Sequence, residues 1–251
     1  MIAGLSNFRD VGGLPTRAGT VRRNRLFRSA QPGQITPGGT ESLRQLGITT
    51  IFDLRSTVEI SNYDFMQVKD INGIQRVSVP IFTNSDTSQQ ILKRRNYALG
   101  QPGFKQEYRE ILKNGGSAFT QILKHIRDHP SDACLIHCSL GRDRTGVLIA
   151  LLLALVGVDD ETILADYERS EEGLAGWRPK LEKILVADDP WLGEDPDALN
   201  NMLSARGSNL RGTLEWMRTE YGGPEGYIKE VCGLTEGDLQ LIKAHLVDGD
   251  E

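Results

Sequence analysis

One stretch of the chain combines residue types that can carry out nucleophilic chemistry on an anion. Residues 137–146 read His-Cys-Ser-Leu-Gly-Arg-Asp-Arg-Thr-Gly, so Cys138 and Arg144 stand at the two ends of a five-residue turn. A cysteine attacks as its thiolate, a form that the positive end of a helix dipole and a nearby arginine favour. The planar guanidinium of an arginine can also grip two oxygens of one anion. This spacing predicts a nucleophile inside an anion-binding loop.

The residues on either side predict how this loop is held. The apolar residues 133–136 precede it and indicate a strand, and residues 145–156 follow it as a strongly apolar helix. A strand-to-helix turn leaves the backbone N–H groups of residues 139–144 free to bind an anion at the helix N-terminus. Such a cradle suits a thiolate and the three oxygens of a transferring phosphoryl group.

Other residues of the loop have chemistry that fits the same purpose. Gly141 permits a tight bend, and Thr145 can donate its hydroxyl to the sulfur when the cysteine departs. We expect His137 to order the loop by hydrogen bonding and not to transfer protons. The predicted phosphate-binding residues are Ser139, Leu140, Gly141, Arg142, Asp143 and Arg144.

Several motifs together resemble one protein family. The pattern His-Cys-x5-Arg-Thr-Gly at residues 137–146 resembles the active-site loop of the protein tyrosine phosphatase superfamily. Residues 7–14, 26–30, 53–56 and 221–228 resemble the tyrosine/serine protein phosphatase family of bacteria and fungi. The resemblance covers almost the whole chain. It implies a cysteine-dependent phosphatase that acts through a phosphocysteine intermediate, chiefly on protein phosphotyrosine and also on phosphoserine or phosphothreonine.

The resemblance also implies a general acid inside the loop, Asp143, which would protonate the leaving group. This is physically coherent, because a carboxyl beside a phosphate dianion has its pKa raised. Asp53 is the alternative, since it ends a predicted strand at the edge where parallel sheets bind ligands. Asp53 can equally form a structural salt bridge with Arg55 or with the loop. Asp86 is a third candidate.

The substrate class stays open at this stage. Family members that act on phosphoinositides carry lysine at the position of Arg142, so this chain keeps the charge with a different geometry. A phosphoinositide phosphatase, or one acting on a small molecule such as a prenyl phosphate, is the first alternative. A catalytically silent phosphate-binding module is the second, although Cys138, Arg144 and an acid are all present. No role is assigned to the basic residues Arg17, Arg22, Arg23, Arg25, Lys93, Arg94 and Arg95.

Composition limits the remaining classes. The net charge of −5 argues against binding to nucleic acid and against stable association with an anionic membrane. The first ten residues lack the pattern of a secretion signal, and an odd number of cysteines, three, fits a reducing compartment, so we expect a cytoplasmic protein. The four histidines lack the spacing of a metal site, and we expect no cofactor. The oligomeric state is not indicated.

The element pattern predicts an α/β fold of the protein tyrosine phosphatase type, formed by one domain over residues 1–251. Strands at 25–28, 49–54, 75–79 and 133–137 alternate with helices, which predicts a central, mainly parallel sheet flanked by helices. Beyond residue 146 only helices are predicted, and residues 171–251 form a helical extension of the same domain. Residues 186–197 are expected to form a solvated acidic connection between helices, with a mobile loop or hinge as the alternative.

Overall fold

The central feature of the computed structural model, which describes residues 2–61, 67, 69–83 and 87–249, is a five-stranded sheet. Its strand order is β1 (Arg9–Asp10), β4 (Leu26–Ser29), β7 (Ala133–His137), β5 (Ile48–Asp53) and β6 (Gln75–Ser78). Strand β1 is antiparallel to β4, and the other neighbours are parallel. The predicted α/β fold with a mainly parallel sheet is confirmed.

The central strands of this sheet end together at one edge. His137, the last residue of β7, pairs with Ser29 of β4 on one side and with Asp53 of β5 on the other. All five residues of β7 are buried, which explains why the strand is a continuous apolar run and not an alternating one. The loop that follows β7 therefore begins at the carboxyl edge of the sheet, between two neighbouring strand ends.

A second sheet has three short antiparallel strands: β2 (Pro15–Thr16), β3 (Gly19–Val21) and β8 (Val247–Asp248). The prediction of no strand after residue 146 is therefore wrong at β8. Two residues are too few for a periodic pattern, and β8 exists because β3, more than 200 residues earlier, supplies its hydrogen-bond partners.

Helices surround the main sheet. The first 155 residues contribute α1 (Pro37–Gln45), α2 (Thr57–Ser61), α3 (Thr87–Ala98), α4 (Gln101–Asn114), α5 (Gly116–Asp128) and α6 (Asp143–Leu155). The C-terminal part contributes α7 (Asp160–Leu174), α8 (Arg178–Asp188), α9 (Pro196–Leu203), α10 (Gly207–Tyr221), α11 (Pro224–Val231) and α12 (Glu236–Leu246). Helix α2 is not apparent from hydrophobic periodicity because it is only five residues long.

Helix α6 is the buried centre of the fold. Within it every residue from Arg144 to Leu155 is buried except Ala154, so the apolar run packs inside the protein as predicted. Among the described residues, no helix combines the length and the apolarity needed to cross a membrane.

The C-terminal helices share the core of the sheet domain. Helix α10 packs against α4, α6 and α7, and α11 also packs against α6. The single-domain organisation stays a prediction, and this shared core favours it. Within residues 186–197, α8 extends to Asp188 and a 3-10 turn at Pro190–Gly193 buries Leu192 completely. Arg94 of α3 forms ion pairs with Asp188 and Asp189, so this connection is tied to α3.

Candidate active site

The loop after β7 turns its carbonyl groups outward. The carbonyl oxygens of residues 138–141 each accept a hydrogen bond from a group outside the turn. In chain order the donors are His137 Nδ1 at 3.0 Å, Gln31 N at 3.1 Å, Asn7 Nδ2 at 2.9 Å and Arg28 Nη2 at 2.8 Å. In a trans peptide the next N–H points the opposite way, so the N–H groups of residues 139–142 face the inside of the turn. Cys138 and the first turn of α6 flank this cradle.

Gly141 makes the bend possible. Its φ angle is 65°, and a Cβ at this position would lie 1.9 Å from the carbonyl oxygen of Ser29. Only glycine accommodates both the left-handed backbone and this close approach. The backbone at the end of β4 therefore restricts the path of the loop.

Buried arginines of the N-terminal motifs support the loop. Arg28 bridges the carbonyl of Gly141 and the carboxylate of Asp166 on α7, with Nη1 donating to Oδ2 at 2.7 Å. Arg9 binds the other oxygen of the same carboxylate through Nε at 2.9 Å. All three charged side chains are buried. Within the motifs at residues 7–14 and 26–30, Arg9 and Arg28 thus support the loop, and their charges are not available to a ligand.

Among the cysteines, Cys138 alone stands in the loop, and it is buried. Burial raises the pKa of the Cys134 thiol to about 12 and that of Cys232 to about 11, so both stay protonated near neutral pH. Burial lowers the pKa of Arg144, but the charges of Glu59 and then of Cys138 raise it above its ordinary value. Arg144 Nη2 lies 3.3 Å from Oγ of Ser139, the residue that follows Cys138, so the guanidinium is close to the cysteine.

Arg144 is held by a carboxylate that the sequence interpretation missed. Its Nη1 and Nη2 donate to Oε2 and Oε1 of Glu59 at 2.6 and 2.5 Å, and Nη1 also donates to the carbonyl of Leu54 at 3.3 Å. Ser139 Oγ bridges this pair, 3.3 Å from both Glu59 Oε1 and Arg144 Nη2. Burial raises the pKa of Glu59, but the charge of Arg144 and its hydrogen bonds hold it at about 2. Glu59 therefore remains ionised and fixes the direction of the guanidinium.

A local signal for Glu59 was available in the sequence. Ser56 and Glu59 have the Ser-x-x-Glu spacing of a capping box. The Ser56 N–H donates to Glu59 Oε2 at 3.0 Å, and the Glu59 N–H donates to Ser56 Oγ at 3.2 Å. This box begins α2 directly after the motif at residues 53–56, and it aims the carboxylate at Arg144.

Asp53 lies in a closed ionic cluster. Its carboxylate is completely buried and accepts hydrogen bonds from Arg55 Nε at 2.9 Å, Arg55 Nη2 at 2.8 Å and Arg76 Nη2 at 2.8 Å. Burial raises its pKa, but His137, Arg55 and Arg76 hold the pKa below the ordinary value. His137 donates from Nδ1 to the loop and turns Nε2 toward Asp53 Oδ2 at 3.7 Å. This surrounding is that of a structural ion pair and keeps the carboxylate ionised.

Asp143 opens α6 and is the more accessible of the two acid candidates. Its side chain is 16% exposed. Arg142 donates from Nε to Oδ1 at 3.0 Å and from Nη2 to Oδ2 at 3.2 Å, and the hydroxyl of Tyr108 donates to Oδ1 at 2.8 Å. Burial raises the pKa of Asp143, but Arg142 and the Tyr108 hydrogen bond bring it below the ordinary value. A further negative charge, such as a bound phosphate, would raise it.

Arg142 points into the protein and away from solvent. Besides Asp143, it binds the carbonyl of Met202 through Nη1 at 3.0 Å, and its guanidinium carbon lies 5.4 Å from the ring centre of Phe104. Its side chain is 4% exposed. The backbone N–H of Arg142 faces the turn, but its charge is committed to these interior contacts. It offers no free charge for a second phosphate.

Two further groups lie beside the loop. The hydroxyl of Thr145 is buried and has no hydrogen-bond partner among the described residues. Lys93 of α3 places its ammonium 5.0 Å from the ring centre of Phe82 and 5.8 Å from that of Tyr97. Burial and the charge of Arg144 lower the pKa of Lys93, although Glu59 and Asp143 oppose this. Asp86, the third acid candidate, lies outside the described residues.

Comparison with known proteins identifies the family to which this fold belongs. A family model described as the tyrosine phosphatase family matches residues 1–248. The chain belongs to this family, and it is an enzyme that hydrolyses phosphoric monoesters.

Known relatives agree with this assignment. The chain is similar to the triple specificity protein phosphatase PtpB of Mycobacterium tuberculosis, with 25% identity over 98% of each chain. It is also similar to a tyrosine-protein phosphatase of Nostoc commune, with 28% identity over 92% of this chain and 76% of that protein. The family and the enzyme class predicted from the motifs are confirmed.

Proposed function

We propose that the protein hydrolyses phosphate monoesters, chiefly protein phosphotyrosine, through a phosphocysteine intermediate on Cys138. The observation that carries this proposal is the inward-facing set of N–H groups at residues 139–142, between Cys138 and an Arg144 fixed by Glu59. Preorganised donors of this kind stabilise the negative charge of a transferring phosphoryl group. No metal or cofactor takes part in the proposed reaction.

The reaction has two steps. First, the Cys138 thiolate attacks phosphorus, the S–P bond forms, and the P–O bond breaks with its electron pair on the leaving oxygen. Asp143 gives its proton to that oxygen. Water then attacks phosphorus and gives a proton to Asp143, while the S–P bond breaks and its electrons return to sulfur. The hydroxyl of Thr145, which has no hydrogen-bond partner in the part of the chain that the structure describes, donates to the departing sulfur.

Asp143 is preferred to Asp53 as the acid because of their surroundings. Three hydrogen bonds from two arginines enclose the buried Asp53, and they oppose its protonation. Asp143 is partly exposed at the start of α6, where a phosphate in the loop would add the like charge that raises its pKa. We therefore assign Asp53 a structural role, in which it joins β5 and β6 and faces His137 beneath the loop.

The substrate class follows from the charges beside the loop. A phosphoinositide phosphatase needs cationic groups for additional phosphates, and Arg142 is committed to Asp143 and Met202. This supports protein phosphotyrosine as the main substrate. Lys93 is the observation that favours the alternative, because in the described chain it has no carboxylate within 4 Å. The mycobacterial relative is named a triple specificity protein phosphatase, which supports an assay panel with several classes of phosphorylated substrate.

We also propose a cytoplasmic location. Its support is that Cys134, Cys138 and Cys232 are all free thiols, which suits a reducing compartment. Cell fractionation followed by detection of the protein tests this assignment.

Steady-state hydrolysis of a phosphotyrosyl peptide tests the proposed activity. Cys138→Ser should lower kcat by at least about a thousandfold, as expected when a covalent nucleophile is lost. Cys232→Ser is the matched control, since it removes a buried thiol outside the loop and should leave kcat within about twofold. Comparable activity in the two variants would overturn the proposal. A higher kcat/KM for phosphoinositides than for phosphotyrosyl peptides would favour the alternative substrate class.

A further inference from the structure

Two buried tyrosines form a hydroxyl chain that ends on Asp143. The hydroxyl of Tyr108, on α4, lies 2.8 Å from Asp143 Oδ1 and 2.6 Å from the hydroxyl of Tyr167, on α7. The two rings meet edge to face, with centres 6.3 Å apart. Both side chains are almost fully buried. Helices α4 and α7 therefore converge on the first residue of α6.

The direction of the protons in this chain is fixed by chemistry. An ionised carboxylate only accepts hydrogen bonds, so Tyr108 must donate its single proton to Asp143. The hydrogen bond between the two hydroxyls then requires Tyr167 to donate to Tyr108. Burial raises the pKa of both phenols, so both stay protonated and keep this order at neutral pH.

The chain makes the two oxygens of Asp143 unequal. Oδ1 accepts from Tyr108 at 2.8 Å and from Arg142 Nε at 3.0 Å, whereas among the described residues Oδ2 accepts only from Arg142 Nη2, at 3.2 Å. A proton binds more readily to the oxygen that has fewer and longer hydrogen bonds.

We propose that Tyr108 and Tyr167 are positioning residues, which orient Asp143 so that its Oδ2 carries the proton delivered to the leaving group. This rests on the proposed role of Asp143 as the general acid. The tyrosines do not touch the reacting atoms, and they act only through the carboxylate.

The packing around Tyr167 explains part of the loop sequence. A Cβ on Gly146 would lie 3.0 Å from Cδ2 of Tyr167, so glycine at this position lets the tyrosine ring pass close to α6. Tyr108 in turn packs edge to face on Phe104, with ring centres 5.6 Å apart. These contacts hold the two hydroxyls in line with the carboxylate of Asp143.

The test compares Tyr108→Phe with Tyr97→Phe. Tyr97 belongs to the same aromatic cluster, 6.5 Å from Tyr108, but its buried hydroxyl has no hydrogen-bond partner among the described residues. Each variant is assayed on a phosphotyrosyl peptide and on nitrophenyl phosphate, whose leaving group is acidic enough to depart without protonation. The quantity measured is kcat/KM as a function of pH, which reports the steps up to P–O cleavage.

We expect Tyr108→Phe to lower kcat/KM for the peptide about tenfold and to change that for nitrophenyl phosphate by less than about twofold. The basic limb of the peptide profile should move to higher pH by about half a unit to one unit, because the carboxylate loses a hydrogen bond. Tyr167→Phe should move it in the same direction by less. Tyr97→Phe should match the wild type in both respects.

Asp143→Asn distinguishes the role of Asp143 as the general acid from the positioning role of the tyrosines. It should show the same preference for nitrophenyl phosphate, more strongly than Tyr108→Phe. If Asp143→Asn affects both substrates equally, Asp143 is not the acid and the proposed mechanism fails. If Asp143→Asn discriminates between the substrates while Tyr108→Phe behaves like Tyr97→Phe, only the positioning role is overturned. A thermal melt of each variant identifies a folding defect. If Tyr108→Phe has such a defect, the substrate preference of Tyr167→Phe tests the positioning role instead.

Discussion

The guanidinium of Arg144 and the carboxylate of Glu59 form a bidentate ion pair, in which each terminal nitrogen donates to one carboxylate oxygen, at 2.6 and 2.5 Å. The two residues are 85 positions apart in the chain. Glu59 is set by its own capping box, and Arg144 by the first turn of the buried helix α6. The arginine that would bind the phosphoryl group is therefore oriented before any substrate arrives, which lowers the reorganisation needed for catalysis.

Removing the charge of Glu59 should harm catalysis more than folding. Glu59→Gln leaves Arg144 without its fixed partner, and we expect kcat/KM for a phosphotyrosyl peptide to fall about tenfold to a hundredfold. Glu41→Gln is the control, because Glu41 forms an exposed ion pair with Arg44 within α1. Steady-state kinetics check this prediction. Equal effects of the two variants would show that the Arg144 geometry does not depend on Glu59.

The same pair should make the protein sensitive to acid. The pKa of Glu59 is about 2 in the folded protein and 4.5 ordinarily, so the folded state binds fewer protons than the unfolded state between these values. Its contribution to stability is complete above pH 4.5 and is lost as the pH falls toward 2. Urea unfolding at pH 7, 4 and 3 measures the change. In Glu59→Gln the decrease should be smaller, and an identical decrease in both proteins would contradict the prediction.

Asp53 should matter for stability and not for proton transfer. Asp53→Asn leaves the positive charges of Arg55 and Arg76 without their carboxylate, and we expect the free energy of unfolding to fall by about 3 kcal/mol. Asp128→Asn, which breaks an exposed pair with Arg127, should lower the free energy of unfolding much less. At a temperature where Asp53→Asn is folded, its ratio of nitrophenyl phosphate to phosphotyrosine turnover should equal that of the wild type. A raised ratio in Asp53→Asn would indicate that Asp53 is the general acid.

The sequence predicted those features that arise from local patterns. The apolar run of β7, the turn with Cys138 and Arg144, and the buried helix α6 follow from adjacent residues and were predicted correctly as elements of structure. Contacts between distant residues carry no such pattern. The pairing of β8 with β3, the hydrogen bond from Tyr108 to Asp143 and the inward direction of Arg142 depend on packing that forms only in the folded chain. Glu59 could be predicted only in part, since its capping box with Ser56 is a local pattern whereas its ion pair with Arg144 is not.

The close approach of Gly141 to β4 gives a further prediction. Gly141→Ala places a Cβ 1.9 Å from the carbonyl of Ser29, so the loop must shift and kcat should fall at least about a hundredfold. Gly47→Ala is the control for backbone strain. Gly47 also has a positive φ, 73°, but a Cβ at this position would meet no atom within 4 Å. Gly47→Ala should lower stability by about 1 kcal/mol and leave kcat unchanged. Equal loss of kcat in both would contradict the account of the loop.

The central claim, covalent catalysis by Cys138, is tested most directly by rapid acid quenching during turnover of a phosphotyrosyl peptide, followed by mass spectrometry of the digested enzyme. The proposed mechanism predicts a phosphate on the sulfur of Cys138 in the wild type and in Cys232→Ser, and none in Cys138→Ser. A phosphate on another residue, or rapid turnover by Cys138→Ser without a phosphoenzyme, would contradict it.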